Sequence, residues 1–226
     1  MIVETIKKES FDFLNDLAQN NNRAWFTEHK AKFQIQQSQV KGFFTAVQED
    51  LNTHDQIEKM KLFRIYRDVR FSKDKTPYKA HFAGSFSRLG AERRGGYYIR
   101  IKPGETFIAT GFWNPNKEDL LRIRKELEVS AEDFRAIFNA QDFKTTWGEL
   151  QGDTVKTAPK GFDKTHPDID LIRHKQFIFA KNFTDAAVLS KDFIEKVNHS
   201  FKAIRPFFDL MSTVLTTNLN GESLID

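Results

Sequence analysis

Apolar residues in this chain recur at two different spacings, and the change from one to the other constrains the fold more than any other feature. Ile6, Phe13 and Leu17, then Phe33, Val40, Phe44, Val47 and Leu51, keep to one face at the helical period. The asparagines at 20–22 supply an N-cap for the second of these helices, which is predicted to begin near Arg23. In the middle of the chain the period falls to that of a strand, with Phe63, Ile65, Val69 and Phe71 alternating against Arg64, Tyr66, Asp68 and Arg70. Lys102-Pro103-Gly104-Glu105 carries Pro and Gly in the order of a type II turn and joins YYIRI to TFIATGFW, which predicts a hairpin. HFAGSFS at 81–87 and HKQFIFAKNF at 174–183 are further strand candidates. Helical spacing returns at 116–127 through Leu120, Leu121, Ile123 and Leu127, and a shorter helix is expected from Ser130. A terminal helix capped by Ser190 uses Ile194, Val197, Phe201 and Ile204, and Pro206 should kink or restart it. The expected architecture is α+β: a single domain over 1–226, with a central antiparallel sheet and helices from both ends of the chain packed on it.

A chain of 226 residues buries roughly 70 % of its unfolded surface. With 23 Phe against 3 Trp and 4 Tyr, the core is expected to be built on phenylalanine. The absence of cysteine rules out disulfides, a thiol nucleophile and Cys-ligated metal. No apolar run is long enough for a spanning helix and the first twenty residues lack a signal-type apolar core, so no membrane partner and a cytoplasmic location are expected.

Charge is distributed unevenly. From Lys61 to Lys102 twelve Lys or Arg face three Asp or Glu, whereas the whole chain carries only +4, so the remainder is net acidic. The densest part is Arg64 through Lys79, where Arg64, Arg67, Arg70, Lys73, Lys75 and Lys79 stand against Asp68 and Asp74 with aromatics interleaved. Such a cluster builds a local field able to hold an anion. Strand alternation places Arg67 on the core face, and a buried guanidinium needs a carboxylate or other acceptors. SKDKTP is expected to leave the strand as a loop that presents Lys73, Lys75, Tyr78 and Lys79 at one rim. Planar arginine donors mixed with mobile lysine charges suit phosphate or carboxylate.

FRIYRDVRFSKDKTPYK, with NNNRAWF upstream and PKGFDKTHPDID downstream, resembles an uncharacterised family of bacterial and fungal proteins classed only as a domain of unknown function. The resemblance covers nearly the whole chain. It implies a compact α+β domain and brings no activity and no catalytic residues.

Other constellations are weaker. His166, Asp168, Asp170 and His174 are the residue types of a divalent-metal site, but no HExxH or i,i+4 histidine pair is present, and a turn feeding the strand at 174 accounts for the same residues. Asp68 followed by Asp74-Lys75 falls short of a nuclease D/E-x-K element. Gly90, Gly95 and Gly96 form no P-loop and read as a hairpin tip, where Arg93 and Arg94 would extend the anion surface. Trp25 and Phe26 fit a core or capping role better than an exposed stacking platform. His81 is the acid or base nearest the motif.

The leading expectation is a protein that binds a phosphate-bearing or other anionic ligand, a small molecule or nucleic acid, through Arg64, Arg67, Arg70, Lys73, Lys75, Tyr78 and Lys79. An alternative is a hydrolase of phosphoester-like substrates using Asp68, Asp74 or His81, or a metal on the His166 cluster. A third is an internal ion-pair network that orders the fold. Whether Arg67 meets an internal carboxylate separates the third reading from the first two. No cofactor is indicated.

Overall fold

A computed structural model describes residues 5–225 of the chain. In chain order the elements are α1 (Lys8–Gln19), α2 (Arg23–Glu28), α3 (Lys30–Leu51), β1 (Ile57–Leu62), β2 (Phe82–Arg88), β3 (Gly96–Ile101), β4 (Thr106–Phe112), α4 (Lys117–Val129), α5 (Glu132–Asn139), α6 (Gln141–Trp147), α7 (Ile169–Ile172), β5 (Phe177–Phe183), α8 (Asp185–Val188), α9 (Phe193–Ala203) and α10 (Arg205–Thr216). The fold is α+β, with a five-stranded antiparallel sheet in the order β1-β2-β3-β4-β5.

The chain divides into two compact units. The first takes the residues up to 86 with 98–108 and 182–199, and the second takes 87–97, 109–181 and the residues from 200 onward.

In the first unit, the helical face read from the sequence is the one that is buried. Phe33, Val40, Phe43, Phe44, Val47 and Leu51 of α3 are each at most 7 % exposed. Phe33 stacks on Phe82 and Phe44 on Phe86, at centroid separations of 6.2 and 5.7 Å, so α3 rests on the face of β2 that carries Phe82, Gly84 and Phe86. Gly84 is the contact that lets it sit so close: a Cβ there would lie 2.5 Å from the Phe44 ring and 2.7 Å from the Lys61 carbonyl oxygen. Phe43 stacks on Phe193 at 5.4 Å. The expected second helix is two: it breaks at His29, whose ring Nδ1 meets the Trp25 carbonyl 2.8 Å away.

In the second unit, Tyr97 packs on Phe201 and Phe208, and Phe179 lies against Phe138, Phe143 and Phe207. Arg88, 5 % exposed, stacks over Phe208, donates to the Arg94 carbonyl and pairs with Asp209. A buried guanidinium met on all three sides in this way avoids the cost of an unpaired interior charge.

The predicted hairpin is β3–β4, with Gly104 at φ +72° in the turn; β2 takes up the 81–87 candidate from Phe82 and runs on to Arg88, and β5 lies within 174–183. The helix predicted from 116 is α4, capped by the Asn116 side chain accepting from the Asp119 N–H at 2.8 Å. Pro206 restarts the chain as α10. One element differs. Residues 63–71 form no strand; the strand of this region is β1, just upstream, and 63–79 is a loop closed by a single Tyr66–Tyr78 bridge. Phe71, expected on the core face, is 96 % exposed.

Gly84→Ala is expected to destabilise the protein by about 1–3 kcal/mol, because the Lys61 carbonyl is backbone and cannot swing away. Urea unfolding followed by circular dichroism measures it; stability within experimental error of the parent would show that α3 can lift from the sheet at no cost.

Candidate functional site

The loop 63–79 is held at its base rather than along its length. Tyr78 is 6 % exposed and stacks on Phe26 at 4.0 Å, with Tyr66 packed against both rings. The Asn21 side chain donates to the Tyr78 carbonyl at 2.9 Å and accepts from the Tyr78 N–H at 3.1 Å, so an amide side chain does what a neighbouring strand would do. The three asparagines divide the labour: Asn20 ends α1, Asn21 clamps the loop, and Asn22 caps α2 by accepting from the Trp25 N–H. Phe26 is buried and Trp25 stacks on His29 at 4.1 Å, so neither offers a free platform. Tyr78 is the anchor of the loop, not part of its open surface.

Beyond the bridge the two aspartates shape the chain. Asp68 accepts from the Arg70 N–H at 3.3 Å and takes the Arg70 guanidinium at 3.0 and 2.6 Å. Asp74 accepts from the Thr76 N–H and hydroxyl at 2.9 and 2.8 Å, and the Arg67 guanidinium closes on Asp74 and Thr76. Aspartates that bond their own downstream backbone compete with a strand ladder, which explains why the alternation of 63–71 does not become β structure. Arg67 is not a core residue: its side chain is 27 % exposed and its carboxylate partner comes from within the motif. The Lys75 ammonium donates to the Val69 carbonyl at 3.0 Å. Among the described residues, Arg64, Lys73, Lys75 and Lys79 form no ion pair.

Electrostatics follow from this geometry. Arg70, with Arg64 adding its charge, holds the Asp68 carboxyl below the usual carboxylate range. Arg67 and Thr76 hold Asp74 at about 2. A carboxylate so fully engaged is a poor general base. His81 is pushed down to about 4, first by burial and then by Arg100, Lys79 and Lys102, with Glu105 opposing. Among the described residues it bonds neither Asp68 nor Asp74, so the three hydrolytic candidates do not assemble into an acid–base pair.

The metal candidates of the second unit are also occupied. Arg135 takes Asp168 at 2.7 Å and Asp170 at 2.8 Å. His166 meets the Glu128 carbonyl through Nε2 and accepts from the Asp168 N–H through Nδ1, while His174 Nδ1 lies 3.2 Å from the Gln176 carbonyl. Among the described residues no three His, Asp or Glu side chains converge as a metal site. Arg93 pairs with Glu92 and Arg94 with Asp119, so the charges of the 89–96 tip are met locally.

Reading residues by motif missed Arg100 and Lys102, which share the surroundings of His81 and pair with Glu105. Period-two alternation from the Lys102–Glu105 hairpin was the available signal.

The His81 shift sets a pH dependence. The folded protein keeps the imidazole neutral down to about pH 4, whereas an unfolded chain protonates it near 6.5. Between these values the unfolded state binds more protons, so stability is full above about pH 6.5 and falls as pH drops toward 4. Urea midpoints measured across this window should decline more steeply in the parent than in His81→Asn; equal slopes would remove His81 as the cause.

No helix among the described residues is long and apolar enough to cross a membrane. No curated protein and no solved structure is significantly similar to this chain. A family model described as "Conserved hypothetical protein (DUF2461)" matches residues 9–210, which is most of the chain. The chain belongs to that family of conserved hypothetical proteins.

Proposed function

We propose that this protein binds a phosphate-bearing or similarly anionic ligand through the loop from Arg64 to Lys79. The observation that carries this reading is the uneven use of charge within the loop. Six Lys or Arg face two Asp, and the two carboxylates are spent on Arg67 and Arg70. Arg64, Lys73, Lys75 and Lys79 are left without an acidic partner among the described residues, Lys75 being turned onto the Val69 carbonyl. Arg67 and Arg70 frame the loop, and the unpaired cations supply the field that attracts the ligand.

A second reading, that the motif is only an internal frame, is favoured at one point: Arg67 has the internal carboxylate that such a frame requires. The two readings differ in what the unpaired cations do.

Retention on immobilised heparin, and binding of inorganic polyphosphate in solution, should weaken steeply with salt. In the triple variant Arg64→Ala, Lys73→Ala, Lys79→Ala, the slope of log affinity against log salt should drop by about one for each phosphate contact removed. Unchanged retention and slope would leave the frame reading in possession of the motif.

A further inference from the structure

The face of the sheet turned away from α3 carries a row of aromatic rings. Tyr97, Ile99 and Ile101 of β3 and Thr106 and Ile108 of β4 are each at most 1 % exposed. The residues that alternate with them, Tyr98, Arg100 and Phe107, are partly exposed. Phe63, which follows β1 and continues its pairing by donating its N–H to the Ala83 carbonyl at 2.8 Å, belongs to the same face. Its ring centroid lies 6.3 Å from that of Tyr98, and Tyr98 lies 5.6 Å from Phe107. The small Ala83 of the intervening β2 alternates to this side, which lets rings from β1 and β3 meet across it.

The row is bounded by cations. The Lys61 ammonium stands 5.7 Å from the Phe63 centroid and the Arg100 guanidinium 5.3 Å from the Phe107 centroid. Lys79, Arg100 and Lys102 all act on His81, and the carboxylate that pairs into this group is Glu105, which bonds both Arg100 and Lys102. Four cations against that carboxylate leave the rim positive. The Nε–H of Arg100 is buried and has no acceptor among the described residues. Phe63, Tyr98 and Phe107 and the four cations all lie in the first unit.

A basic loop by itself selects only for charge. Partly exposed rings in a row on a sheet face, fringed by cations, add an affinity for flat unstacked bases that a duplex or a bare phosphate chain cannot use. We propose that this face is a platform for single-stranded nucleic acid, with bases stacking on Phe63, Tyr98 and Phe107 and phosphates held by Lys61, Lys79, Arg100 and Lys102. The platform rests on the anion-binding reading of the adjoining loop, with which it shares Lys79, and names the ligand class for it.

The test compares two probes, labelled oligothymidylate and base-free inorganic polyphosphate, on the parent and on Tyr98→Leu, Phe107→Leu and Phe107→Tyr. Leucine keeps the apolar cover of the sheet, and thermal melts confirm that each variant is folded. The leucine variants should lose roughly tenfold in affinity for oligothymidylate and none for polyphosphate, and Phe107→Tyr should bind both as the parent does. If the parent binds both probes and the leucine variants bind oligothymidylate equally well, the platform is overturned while the anion reading survives. If a duplex of the same length binds as tightly as the single strand, the platform is likewise overturned. If the parent binds neither probe, the anion reading fails and the platform with it.

Discussion

The candidate site depends on one anchor. Tyr78 packs with Phe26 and Tyr66 in a cluster of three rings and is bonded at both backbone groups by Asn21, and it fixes the far end of a loop that has almost no ladder of its own. Without that anchor, six like charges within sixteen residues would repel one another and the loop would extend into solvent. With it, the aspartates fall where they can serve. Asp68 and Asp74 each bond a nearby backbone N–H and an arginine together, so the loop is shaped by the same carboxylates that neutralise part of its charge. The surplus is thereby left on Arg64, Lys73, Lys75 and Lys79.

This arrangement bears on what chemistry the motif can support. A general base needs lone pairs free to take a proton at working pH, and Asp74 has committed its oxygens to Arg67 and Thr76. His81 stays neutral in a positive environment, which suits a residue beside an anion better than one that must carry a proton. In the second unit the acidic residues of the 166–174 stretch hold Arg135 in place and the histidines bond backbone groups, so a constellation that reads as metal-binding works as a brace. Binding, by contrast, needs only field, accessible donors and a surface of the right shape.

Much of the fold was legible because its signals are local. The faces of α1 and α3 came from helical spacing, the β3–β4 hairpin from Pro103-Gly104, the start of α2 from Asn22 and the restart at α10 from Pro206. The misreading of 63–71 has an equally local cause with a distant correction. Its alternation is real, but the Asx-type bonds of Asp68 and Asp74 override it, and the pairing expected of Phe71 never forms. The strand that does form, β1, reads IEKMKL, and its exposed lysines on a sheet edge weaken the apolar alternation that would announce it.

By itself the sequence determined the positions of the helices and the hairpin, the phenylalanine core and the surplus of positive charge around the motif, because each depends on spacing or on counting along the chain. Tertiary structure alone decided which charges are spent and which are free, and which rings share a face. Those outcomes turn on contacts between residues far apart in the chain: Asn21 reaches Tyr78 across 57 positions, and Phe63 meets Tyr98 only because β2 lies between their strands. No period or motif encodes a distance of that kind; it is set when the sheet closes its order.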